Sequence, residues 1–138
     1  MRFMMIVKAS ANSEAGVMPT EEMLAEMGAY NAELVAAGVM RDGMGLQSSA
    51  KGARIQFDGD RKWVVDGPFP ETKELIAGFW LLEVGSKQEA IDWALKCPNP
   101  NFDGSATNIE LRQVFEMEDF GESAAVDKMR DLKVGSLS

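Results

Sequence analysis

Few residues in this chain could move a proton or hold an ionic ligand. Asp66 heads Asp66-Gly67-Pro68-Phe69, and Lys73 follows in Glu71-Thr72-Lys73-Glu74. Lys8 and Arg112 interrupt otherwise apolar runs. Among 138 residues there are 0 histidines and 1 cysteine, Cys97. That removes Ser-His-Asp and Cys-His catalysis, histidine-ligated zinc and any imidazole acid–base step. It also removes an intrachain disulfide and a CxxC pair. Proton transfer would fall to Asp, Glu, Lys, Tyr or water.

Each of these residues has a functional and a structural account. Asp66, at a strand end beside a helix–sheet cleft, is placed to act as a general base or to orient a ligand. Equally, an Asp ahead of Gly-Pro bonds the backbone N–H groups of its own turn, with Pro68 fixing φ and Gly67 driven toward extended geometry. Lys73 would bring positive charge to a carboxylate or enolate near Asp66, or simply sit in a solvated loop. Lys8 and Arg112 need partners if buried. For Arg112 these are Glu110 or Glu116 in a structural ion pair, or else an anionic ligand. Tyr30 and Trp80 fall on apolar faces, as core or as cavity walls. The 10 methionines supply core filler or an adaptable lining. Cys97 has neither a nearby base nor an electropositive setting, so it is not a nucleophile.

The elements that must position these groups follow from hydrophobic periodicity. Residues 2–9 alternate as a strand that is apolar on both faces. Residues 10–18 are small and polar and read as a loop. Thr20 caps a helix over 21–37, on which Met23, Leu24, Met27, Tyr30, Leu34 and Val35 recur at helical spacing, and Gly38 ends it. A short strand lies within 39–50. Two alternating runs around Asp58-Gly59-Asp60 form a hairpin that ends at Asp66. Residues 75–84 form a second strand apolar on both faces, where Gly78 marks a close backbone approach, a bulge or a ligand edge. Ser86 and Glu89 form a capping box for a helix that ends before Pro98. Residues 98–106 are loop and 107–117 alternate as a last strand. A short helix with Val126, Met129 and Leu132 on one side follows, and the final Gly-Ser-Leu-Ser should fray.

This order predicts an α+β fold of the ferredoxin-like βαββαβ type with an extra β-hairpin. Two helices cover only one sheet face, yet two strands are apolar on both. A second copy packed sheet to sheet is therefore expected, giving a homodimer, ahead of the alternative that the charged, weakly patterned C-terminal segment folds over that face. The net charge of -8 argues against nucleic acid and anionic membranes as partners. The N-terminus lacks the features of a signal peptide, and no run is long enough to span a membrane, so a cytoplasmic location is expected.

The motif Asp66-Gly67-Pro68-Phe69, with Glu71-Thr72-Lys73-Glu74 and Gly78-Phe79-Trp80, resembles the DGPF signature of the YCII-related proteins. Glu89 to Ala94, Cys97-Pro98 and Ile109 to Arg112 fit that family's downstream pattern. The resemblance spans residues 1–117, leaving 118–138 as a C-terminal extension. It implies a ferredoxin-like fold assembled as a dimeric α/β barrel, a bacterial source, and genes beside extracytoplasmic-function sigma factors. It also implies, for some members, a His–Asp pair in an enzyme-like pocket, and its superfamily includes a dehydrohalogenating lyase. Asp66 matches the Asp of that pair, and this chain has no histidine to match the other.

Three functions are thus expected to compete. The first is a homodimer binding a small organic ligand through Asp66, Lys8, Lys73 and Arg112, with Tyr30 and Trp80 as walls and no cofactor or metal. The second is a lyase- or isomerase-type enzyme with Asp66 as base, which needs that carboxyl in an apolar setting. The third is an interaction module in a sigma-factor system.

Overall fold

The computed structural model describes residues 1–133, so the fraying expected of 135–138 lies outside the described residues. The first strand, β1 (Arg2–Lys8), leads through a one-turn helix, α1 (Ala11–Glu14), into α2 (Glu21–Ala36) and β2 (Met40–Gly45). A hairpin of β3 (Ala53–Asp58) and β4 (Arg61–Asp66) comes next. Then follow β5 (Ile76–Glu83), α3 (Lys87–Leu95), β6 (Ile109–Gln113) and α4 (Ala124–Asp131). Strands β2, β5, β1 and β6 form one sheet in that order, every neighbouring pair antiparallel, with β3 and β4 a separate two-stranded ribbon. This is the α+β, ferredoxin-like arrangement with the added hairpin.

The two strands that are apolar on both faces, β1 and β5, are the two central strands. Register pairs Met5 with Trp80 and Leu111, and Phe3 with Leu82, so these side chains share one face. On that face they meet Tyr30 and Leu34 of α2 and Ala90 of α3 to form the core. The opposite face carries Met4, Ile6, Phe79 and Leu81, all half-buried, with Glu110 and Arg112 beside them.

Local chemistry explains most boundaries. The Thr20 hydroxyl accepts from the Met23 N–H, and the acidic Glu21 and Glu22 occupy the positive end of α2. Gly38 takes a φ of 70° to end that helix, and Gly59 takes 58° at the hairpin tip. Gly78 belongs to a close approach: a Cβ there would lie 2.7 Å from the Met44 carbonyl oxygen and 3.2 Å from the Gly45 α-carbon.

Three local expectations need correction. Residues 11–14 are helical rather than loop, because Ser10 and Ser13 cap each other reciprocally. Glu89 does not return to Ser86; its carboxylate accepts from the Gly85 N–H at 2.7 Å, while the Ser86 hydroxyl accepts from the Glu89 N–H. The last strand is shorter than 107–117, since its ladder with β1 runs only from Ile109 to Gln113.

Candidate functional site

The helix-covered face of the sheet does not close completely. Past the end of β1, between α2 and the facing ends of β2 and β5, lies a cleft of about 540 Å³. Met23, Met27 and Asn31 of α2 border it on one side, and Met40, Gly43, Gly45, Gly78 and Trp80 of the sheet on another. The α1 region and the loop around Phe102 complete the rim. Several large apolar rim residues stand open to solvent, Met18 at 79% and Leu24 at 56%. Apolar surface concentrated at the mouth of a cavity is a common mark of a binding site.

The lining follows from backbone periodicity. On α2, Met23, Met27 and Asn31 recur at i, i+4, i+8, beside the buried Tyr30 and Leu34. On β2, Gly43 stands opposite Trp80 and Gly45 opposite Gly78, so both glycines share the cleft face. A Cβ at Gly43 would come within 3.2 Å of the Trp80 ring, so this glycine makes room for the indole. A Cβ at Gly45 would meet nothing within 4 Å, so it opens space into the cleft.

Asn31 is the polar member of the α2 stripe. Its Oδ1 accepts from the Trp80 indole N–H at 2.7 Å. The Trp80 and Tyr30 rings also pack in a T-shaped pair, at a centroid distance of 5.8 Å and an interplanar angle of 89°. The Tyr30 hydroxyl donates to the Trp93 carbonyl at 2.7 Å, and burial pushes its ionisation well above the ordinary phenol range. Tyr30 therefore ties α2 to α3 behind the cleft, while Trp80 walls it.

The structure disperses the ionic residues singled out from the sequence. Asp66 is exposed at the end of β4, opposite Ala53, and does not border the cleft. Its carboxylate neither enters an apolar setting nor bonds its own turn. Lys73 is exposed in a 3₁₀ turn, also away from the cleft. Lys8 reaches the rim, but its ammonium pairs with Glu110 at 3.3 Å, on the opposite sheet face. Arg112 pairs with the same carboxylate at 3.3 Å and its side chain is 71% exposed. The hydrogen bonds from Arg112 and Lys8 hold the Glu110 carboxyl below the usual range. Burial pushes the Cys97 thiol up to about 11, which keeps it protonated at neutral pH.

The Gly-Pro corner has a different role, which runs through its backbone. The Gly67 N–H donates to the Gly52 carbonyl at 3.0 Å, and the Phe69 N–H to the Ser49 hydroxyl at 3.0 Å. The Arg54 guanidinium lies 3.9 Å above the Phe69 ring, and Arg54 also pairs with Glu71 at 3.3 Å. The Ser49 N–H and hydroxyl both donate to the Glu14 carboxylate, at 2.7 and 2.5 Å, which holds that carboxyl below its ordinary range. The Ser48 hydroxyl donates to the Glu14 carbonyl at 2.7 Å, and Ser48 borders the cleft. The corner thus buttresses the 3₁₀ turn Ser49–Lys51 and, through it, one wall of the cleft.

Asn31 was not among the residues picked from the sequence. One signal was present: a carboxamide at i+4 from Met27 within an apolar helix stripe. Its significance needs Trp80, which is distant in sequence.

Among the described residues, no group of His, Cys, Asp or Glu is arranged to hold a metal ion. Nor does any helix among them have the length and apolarity to cross a membrane. In comparison with known proteins, the chain is 32% identical over 81 residues to an uncharacterized protein of Rhizobium meliloti (strain 1021). That match covers 59% of this chain and 65% of the relative, so it spans just under two thirds of the relative's length. The cleft and the corner that buttresses it both fall inside residues 1–118, which match the YCII-related domain, and the chain belongs to that family.

Proposed function

We propose that this protein binds a small, mostly apolar organic molecule in the cleft between α2 and the sheet, as a homodimer joined through the other sheet face. The observation that carries this reading is the cleft itself, about 540 Å³, walled by Met23, Met27, Met40 and Trp80 and ringed by exposed apolar residues. Thioethers and an indole give a deformable, polarizable lining suited to an apolar body. Among the described residues, no aspartate or glutamate borders the cleft. This favours binding over proton transfer, which would need a base within reach of a ligand. Asp66 supports the site from outside, through the corner it begins.

The test is a thermal-shift screen of small aromatic and aliphatic compounds against three proteins: wild type, Gly45→Phe and Asp66→Asn. Gly45 faces open space in the cleft, so phenylalanine there fills the cavity without a backbone collision. Ligand stabilisation acts by mass action. Compounds that raise the wild-type Tm should lose their effect in Gly45→Phe and keep it in Asp66→Asn. A hit that survives Gly45→Phe and disappears in Asp66→Asn would move the site to the hairpin and overturn this reading.

A further inference from the structure

The polar chemistry of the cleft narrows what it would accept. Lys8 is the charged residue on its rim, and its ammonium is engaged by Glu110 on the far side of the sheet. A formal charge on the ligand would therefore leave water for a lining of thioethers, aromatic rings, hydroxyls and carboxamides, with no counter-ion to receive it. This lining favours a neutral ligand.

Asn31 then sets which neutral ligand. An indole N–H only donates, so the Asn31 atom 2.7 Å away must be the carbonyl oxygen of the carboxamide. That bond fixes the amide's orientation and turns its Nδ2 away from Trp80. Among the described residues, Nδ2 has no partner of its own. Asn31 is half-buried and borders the cleft, on the same helix stripe as Met23 and Met27. Trp80 is 7% exposed and held in place by Tyr30. A rigid ring thus pre-orients the carboxamide, so little conformational freedom is lost when Nδ2 donates to a ligand.

We propose that Asn31, oriented by Trp80, is the specificity-determining residue of this cleft, selecting neutral molecules that carry a carbonyl acceptor on an apolar body. Ketones, esters and amides belong to this class. The matching hydrocarbons lack the acceptor, and amines or carboxylates bring a charge the lining cannot pair. This inference rests on the cleft-binding reading above and adds the chemical class of ligand and the residue that reads it.

The experiment uses two fluorescent probes of the same shape. One is 6-propionyl-2-(dimethylamino)naphthalene, a neutral ketone whose emission shifts to the blue in apolar surroundings. The other is 6-propyl-2-(dimethylamino)naphthalene, which lacks the carbonyl and is measured by displacement of the first. Wild type should bind the ketone about threefold to tenfold more tightly, the ratio one hydrogen bond supplies. In Asn31→Leu the ratio should fall to about one. Asn31→Asp keeps an acceptor for the indole but presents oxygen where nitrogen was. There the preference should disappear or reverse, with the fold retained as judged by near-ultraviolet circular dichroism. Equal affinities in wild type, or a ratio unchanged in both variants, would overturn the role of Asn31 and leave the cleft reading standing. Failure of wild type to bind either probe would overturn both.

Discussion

Gly67 lies so close to Ser49 that a Cβ built on it would overlap the Ser49 carbonyl oxygen and its carbon. The obstacle is backbone on both sides, so neither a rotamer change nor a flexible side chain could relieve it. Gly67→Ala should therefore push the corner off the Ser49 turn. Its expected cost is about 1–3 kcal/mol, the usual range for forced overpacking. Gly45→Ala meets open space and should be close to neutral. Urea unfolding of the two variants beside wild type makes the comparison. A Gly67→Ala protein as stable as wild type would contradict the close approach.

The Tyr30 hydroxyl should be visible in two ways. Tyr30→Phe leaves the Trp93 carbonyl without the donor now 2.7 Å away. The Lys96 N–H still donates to that carbonyl at 3.1 Å, so the loss expected is that of one ordinary hydrogen bond, about 0.5–1.5 kcal/mol. Because Tyr30 is the chain's single tyrosine, its ionisation can be followed directly by ultraviolet absorbance. Burial raises it, so the folded protein should show no phenolate through the ordinary range and gain it only on alkaline unfolding. Normal titration in the folded state would show the ring to be solvated.

Acid stability should report on Glu14 and Glu116. Hydrogen bonds from the Ser49 hydroxyl and N–H hold the Glu14 carboxyl below its ordinary value of 4.5. The Arg2 guanidinium does the same for Glu116, at 2.8 and 2.7 Å. In both cases the folded protein releases its proton more readily than the unfolded chain. The stabilisation is therefore complete above the unfolded value and is lost as pH falls through the depressed folded value. Urea midpoints should fall when pH drops below 4.5. Glu14→Gln and Glu116→Gln should each be less stable at neutral pH and lose less on acidification. Parallel acid limbs for wild type and both variants would remove these carboxylates from the account.

The dimer is tested through the sheet face opposite α2 and α3. Met4, Ile6, Phe79 and Leu81 share that face while α2 and α3 pack on the other. Size-exclusion chromatography with light scattering at micromolar concentration should return twice the chain mass of 15.1 kDa. Ile6→Lys, on a central strand of that face, should return the monomer mass with the fold intact. A wild-type monomer would mean that this face is not the interface between copies.

Much of the framework could be read along the chain because it depends on short-range physics. Alternation located β1 and β5, and the two apolar faces of β1 marked it as a central strand, which it is; that β5 rather than the last strand lies beside it at the centre was decided by the folded sheet. The Thr20 cap and the Asp58-Gly59 turn fixed a helix start and a hairpin tip within a few residues. The errors were equally local. A four-residue helix at Ala11–Glu14 offers no periodicity to detect, and its cap uses two serines that look like ordinary loop residues.

The candidate site could not be read in the same way. The residues most conspicuous in the sequence were charged, and charged side chains reach for water or for one another. Asp66 and Lys73 accordingly face solvent, and Lys8 and Arg112 share Glu110. The cleft is instead assembled from a helix, two strand ends and a loop that meet only in the folded chain. Asn31 gains its fixed orientation from an indole 49 positions away, brought within 2.7 Å by the packing of α2 on the sheet. Sequence by itself determined the longer helices and strands, their apolar faces and the corner at Gly67. Tertiary structure alone decided which polar group faces a cavity, because that depends on which distant donor has already claimed its other end.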